Sequence, residues 1–239
     1  MAEKNDIMNA KSVQTLVVLL DKEISLKEIP YFRGCVVHSM EDANILFHNH
    51  FGDEQLRYRY PLIQYKRIGG KAAIVCVGEG TEVIGEFFSQ TDFHFRVGER
   101  EVDMAIDHID AKRTILQVWD SDFRYTLRKW LPLSSENYRE YSQLEGISER
   151  CDFLQRILVG NILSFCKGVD VTIESEIKCV ITDIMDTHSY LYKGVKMQGF
   201  DVEFKTNISL PDYVGLGKGV SLGFGTVVKK YENRKNNNE

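Results

Sequence analysis

The apolar positions along the chain fall into short uninterrupted runs and one long helical stripe. Leu16 to Leu20 is a continuous apolar run, so residues 12–20 predict a buried strand. Residues 25–40 carry a helix signal. Ser25 could cap it with Glu28 at the capping-box position, or the helix starts at Pro30, because proline suits the first turn. Residues 44–52 read as irregular. Two strands, 59–67 and 72–77, are joined through Ile68-Gly69-Gly70, a hairpin signal. A short helix is predicted over 81–89, with Thr81 as its cap, followed by strands at 93–97, 104–109 and 114–119.

The second half repeats the pattern more loosely. Residues 124–131 predict a strand. The clearest helix covers 148–165, where Ile147, Cys151, Leu154, Ile157, Leu158 and Ile162 recur at intervals of three and four. Strands follow at 178–184 and 196–204, then a loop over 207–223 and a last strand over 224–228. Two β-α-β-β-α-β-like units in tandem predict an α+β fold of duplicated ferredoxin-like domains, residues 1–121 and 122–239. The second helix of the second unit is not visible in the pattern.

A chain of 239 residues with 43% apolar and 27% charged positions can build a sizeable core. The formal net charge of −5 speaks against a nucleic-acid partner, unless basic residues cluster locally. They do. Residues 55–78 contain Arg57, Arg59, Lys66, Arg67 and Lys71 and no acid, and residues 187–200 contain Lys193 and Lys196 and no acid. Arg124, Arg128 and Lys129 form a further group, and Lys218, Lys229, Lys230, Arg234 and Lys235 another. A basic cleft between the halves is compatible with the negative total. Tyr58, Tyr60 and Tyr65 interleave with the first group, as base-stacking residues or as one side of a half-exposed strand.

The five cysteines have no C-x-x-C spacing, which indicates neither a disulfide framework nor a zinc site. The polar start lacks an apolar signal region, and no apolar stretch reaches about 18 residues. The expectation is a reduced, cytoplasmic protein without a membrane partner.

Chemistry concentrates in two places. Near the C-terminus stands Gly215-Leu216-Gly217, then five residues that include Lys218 and Gly219, then Gly223-Phe224-Gly225. Glycine permits positive φ and close backbone approach, and exposed amides can cradle phosphate oxygens. The alternative is a flexible surface loop before an edge strand. The second place is His48-Asn49-His50, whose side chains share one side of an extended segment. Two imidazoles that titrate near neutrality can serve as base and acid; the alternative is that they are surface or metal-binding residues. Tyr58 and Lys66 follow as groups that could orient the substrate or stabilise charge.

The spacing G-h-G-x5-G-F-G just before a final strand resembles the glycine-rich loop of the RAMP superfamily. Residues 46–50 (LFHNH) and 58–66 (YRYPLIQYK) look like the N-terminal domain of the CRISPR-associated pre-crRNA processing endoribonucleases that carry paired histidines. The resemblance implies a metal-independent endoribonuclease without a cofactor, binding CRISPR repeat RNA and leaving a 2′,3′-cyclic phosphate and a 5′-hydroxyl. His48 and His50 would be catalytic, with Tyr58 and Lys66 supporting. Gly215, Gly217, Lys218, Gly223, Gly225, Arg57, Arg59 and Arg67 would hold RNA. The resemblance also admits homodimerisation and association with a CRISPR effector complex. Two other readings stay open: a non-catalytic RNA-binding subunit of such a complex, and a metal-binding domain using His38, His48 and His50.

Overall fold

A computed structural model describes residues 11–40, 46 and 60–231. In the first half, β1 (Ser12–Glu23) leads to α1 (Ile29–His38), which has Pro30 in its first turn. Glu28 accepts from the Ser25 N–H at 2.6 Å, but this bond closes a turn ahead of the helix and does not begin it. Next come β2 (Ile63–Ile68) and β3 (Lys71–Val77), joined through Gly69 at φ 57° and Gly70 at φ 91°. Two consecutive left-handed residues make the tight turn whose twist suits a hairpin.

After α2 (Gly80–Gln90), a small hairpin of β4 (His94–Val97) and β5 (Arg100–Asp103) precedes β6 (Ile106–Ile115). Thr81 lies inside α2, where its hydroxyl donates to the Gly78 carbonyl at 2.8 Å. The sheet order is β2-β3-β1-β6 with antiparallel pairing throughout, the order of a β-α-β-β-α-β unit. The sequence predicts separate strands at 104–109 and 114–119, whereas β6 is continuous. It is an edge strand, exposed along most of its length, so its apolar residues follow no alternation.

The second half contains β7 (Val118–Trp130), α3 (Ser135–Gln143), α4 (Ile147–Gly168), β8 (Cys179–Tyr192), β9 (Val195–Ile208) and β10 (Thr226–Lys229). Its order, β10-β7-β9-β8, repeats that of the first sheet. The architecture is therefore the tandem ferredoxin-like one. In the second unit residues 209–225 stand where the second helix would be, with one 3₁₀ turn (Val220–Leu222). The missed helix α3 is polar and buries only Tyr141; its one signal is Ser134, whose hydroxyl accepts from the Asn137 N–H at 3.0 Å. In α4 the buried stripe includes Phe153, Leu158, Ile162 and Phe165, while Ile147 is 81% exposed in the first turn.

Helices α1 and α2 cover one face of the first sheet, around Phe32, Tyr65, Phe87 and Phe95. From its other face Val13, Val75 and Val77 join the cluster of Trp130, Leu158, Phe165 and Phe204. One apolar core thus runs across both sheets and fixes their relation. Among the described residues no helix is long and apolar enough to cross a membrane.

Arg100 on β5 donates from Nε to Glu28 at 2.6 Å and from Nη2 to the Glu23 carbonyl at 2.8 Å, clamping the small hairpin to the start of α1. The Arg100 bond holds the Glu28 carboxyl down at about 2, helped by Ser25 and opposed by partial burial. A carboxyl held below its ordinary value stabilises the fold above that value and loses this as pH falls. Glu28→Gln is expected to lower the melting temperature at neutral pH. The gap from wild type should close as pH falls from about 4.5 to about 2, which calorimetry across that range would test.

Candidate nucleic-acid interface

The glycine motif folds as a packed loop against the edge of β2. Gly225 has φ 63°, and a Cβ there would overlap the Leu216 carbonyl oxygen. Gly223 has φ 79°, and a Cβ would stand 3.2 Å from both the Tyr65 carbonyl oxygen and Ile29 Cδ1. Absence of side chains at these two positions lets the loop close on itself and press onto β2 and α1. The Tyr60 hydroxyl donates to the Gly215 carbonyl at 2.9 Å and accepts from the Gly215 N–H at 3.2 Å, while its ring packs edge-on against Phe165 at 5.2 Å.

Most loop amides are already occupied. Leu216 donates to Gly225, Gly225 to Lys129, Lys218 to Leu131, and Gly223 and Phe224 to carbonyls within the loop. Gly215 donates to Tyr60. The tip is different: among the described residues, the N–H groups of Gly217, Gly219, Val220 and Ser221 have no acceptor. The motif is thus neither a slack surface loop nor a cradle along its whole length. Its unbonded amides are confined to the tip, beside the half-exposed Lys218.

Basic side chains gather where the loop meets β2. Lys66 is 1% exposed, and its ammonium donates to Thr226 Oγ1 at 3.1 Å. Burial pushes its pKa down to about 7, and the nearby Lys129 adds to the effect. Lys129 sits at φ 51° where the pairing of β7 with β9 slips between Leu127 and Trp130. Such a bulge re-aims a side chain out of the strand's alternation. The Lys129 N–H donates to Asp201 at 2.6 Å, and Arg128 pairs with the same carboxylate at 3.0 Å. Burial lowers the Lys129 pKa, Asp201 opposes this, and Arg67 reinforces it. Arg67 is exposed and donates from Nε to the Ile24 carbonyl at 2.7 Å.

The structure therefore brings together Lys66, Arg67, Gly215, Gly217, Lys218, Gly223 and Gly225, and adds Lys129 and Tyr60. Lys129 is visible in sequence only as one of a basic group, because a bulge has no local signal there. His48, His50, Arg57, Tyr58 and Arg59 lie outside the described residues. Leu46, from the same stretch, packs on the N-terminal core. Elsewhere, His94 is exposed and bonded to Asp103 at 2.6 Å, His108 is exposed on the edge strand β6, and His188 pairs with Asp186 at 2.9 Å.

Two variants test this geometry. Gly225→Ala should lower stability by about 1–3 kcal/mol or more from backbone strain alone, measured by urea unfolding. Lys66 gives up its proton more readily folded than unfolded, so stability should rise with pH from about 7 toward 10.5. Lys66→Met should reduce that rise, leaving the part due to Lys129, and leave the protein at least as stable as wild type near pH 6, in the same assay.

Comparison with known proteins agrees with this architecture. The model of the Cas6b N-terminal domain matches residues 11–115, and that of the Cas6b C-terminal domain matches residues 117–230. A crystal structure of Cas6b superposes with a TM-score of 0.83 at 26% identity, covering 92% of this chain and 100% of the other. A structure of the CRISPR RNA processing endoribonuclease Cas6b superposes with a TM-score of 0.69 at the same identity and coverage. An uncharacterised protein of Methanocaldococcus jannaschii is 41% identical over 103 residues, 43% of this chain and 69% of that one. With both domain models matched in tandem, the chain belongs to the Cas6b family of CRISPR RNA processing endoribonucleases.

Proposed function

We propose that this chain cuts CRISPR repeat RNA in precursor transcripts to release guide RNAs. The observation that carries the reading is the loop tip, with its unbonded amides and Lys218, next to the basic edge of Arg67 and Lys129 in a chain of this family. Phosphates bind at the tip amides and Lys218. Gly215, Gly223 and Gly225 shape the loop, and Arg57, Arg59 and Arg67 add further phosphate contacts.

Cutting uses the RNA's own 2′-hydroxyl and needs no metal. One imidazole of His48 and His50 takes its proton, the oxygen attacks the adjacent phosphorus, and the other imidazole protonates the departing 5′-oxygen. The products are a 2′,3′-cyclic phosphate and a 5′-hydroxyl. Tyr58 orients the reacting phosphate. Lys66 is enclosed, so it acts through Thr226 on the position of the loop and does not touch the RNA. In this reading the histidines belong to an N-terminal domain, residues 1–121, and the loop to a C-terminal one, residues 122–239.

The test is cleavage of repeat RNA in excess EDTA, beside the same RNA with a single 2′-deoxy at the cut site. Cutting should survive EDTA and stop at the deoxy position. His48→Ala and His50→Ala should each slow it by roughly 10²–10⁴-fold without weakening binding. Tight binding with no cutting by wild type would favour a non-catalytic RNA-binding subunit instead.

A further inference from the structure

A group of aromatic rings stands beside the loop tip, outside both apolar cores. His188, Tyr190 and Tyr192 occupy alternate positions of β8 and so share one face of the β8–β9 hairpin. Opposite His188 is Gly199, whose missing side chain leaves room for the Tyr190 ring, 2.6 Å from where a Cβ would stand. Phe224 reaches in from the glycine loop. Its ring lies 5.4 Å from Tyr190 at 83° and 5.8 Å from Tyr192 at 76°. Gly219 completes the arrangement, since a Cβ there would come within 2.8 Å of Phe224 and 3.0 Å of Tyr192.

Tyr190, Tyr192 and Phe224 are all half-buried. Rings that pack mainly on one another and remain partly open to solvent are a poor use of apolar area unless something covers them. Two cations and two carboxylates flank them. Lys193 Nζ lies over the Tyr192 ring at 5.8 Å, and Lys218 adjoins Gly219. The flanking carboxylates are engaged, Asp186 by His188 and Asp201 by Arg128 and the Lys129 N–H. The unbonded amides of Gly217, Gly219, Val220 and Ser221 lie in the same loop. Ring faces beside phosphate donors are the combination that holds single-stranded nucleic acid, because every base has a face to stack and every nucleotide a phosphate.

We propose that Tyr190, Tyr192 and Phe224 form a stacking platform for unpaired bases of RNA, with the flanking phosphates held by Lys193, Lys218 and the loop-tip amides. The proposal rests on the function proposed above and adds a selectivity: a base inside a duplex cannot offer its face, so the platform favours an unpaired stretch of the repeat. The contribution is tolerant of base identity, since stacking reads the ring face and not its edge.

The test follows binding of unstructured repeat RNA in which single nucleotides are replaced in turn by 2-aminopurine or by an abasic ribose. With wild-type protein, 2-aminopurine should be quenched at one or two adjacent positions, and an abasic residue there should weaken binding by roughly tenfold. Tyr192→Leu should reduce both the quenching and the abasic penalty, and Tyr192→Phe should restore them. Uniform quenching and no position-dependent abasic penalty with wild type would overturn the platform, whatever the variants do, while leaving the cleavage reading intact. Failure of the wild-type protein to bind repeat RNA at all would overturn both, and the cleavage assay above would register it separately.

Discussion

The seating of the glycine loop on the edge of β2 is the contact that the rest of the interface depends on. Tyr60 grips Gly215 from both sides of its peptide, Lys66 reaches Thr226, and Gly223 lies against the Tyr65 carbonyl. The loop can occupy this place because the second unit lacks the helix that its first unit has after β3. Residues 209–225 bury Leu210, Val214 and Leu216 in the core of their own sheet and also reach the neighbouring one at Tyr60, Tyr65 and Lys66. The apolar core shared by the two sheets then holds strand edge and loop at a fixed separation. A functional surface made from two sheets needs this kind of rigidity, since neither sheet carries the whole of it.

The electrostatics follow from the same packing. An acidic protein presents a basic edge because a few cations are forced together by the fold. Lys66 is enclosed, and its pKa falls to about 7, so at neutral pH the buried amine spends much of its time uncharged. That reduces the repulsion it would exert on Lys129. Asp201 steadies the bulge that carries Lys129 by accepting its N–H, and pairs with Arg128. One carboxylate therefore organises two cations without cancelling the patch.

In the proposed mechanism the halves divide the labour. The first supplies the acid–base groups His48 and His50, and the second supplies the backbone amides and rings that hold RNA. Tyr60, bonded to Gly215 through both its carbonyl and its N–H, ties the N-terminal half to the loop.

The sequence by itself determined what is local. The apolar runs of β1 and β3, the Gly69-Gly70 turn, the stripe of α4 and the glycine motif each depend on neighbours within a few residues, and each was legible. So was the tandem order of the elements. Only the tertiary structure decided that β6 is one exposed edge strand, that polar α3 is a helix packed by Tyr141, that Lys66 is buried and that Lys129 sits on a bulge. It alone put Phe224 between Tyr190 and Tyr192. Lys66 and Thr226 are separated by 160 positions. Burial, a shifted pKa and a ring cluster are properties of what surrounds a side chain, and those surroundings come from distant parts of the chain.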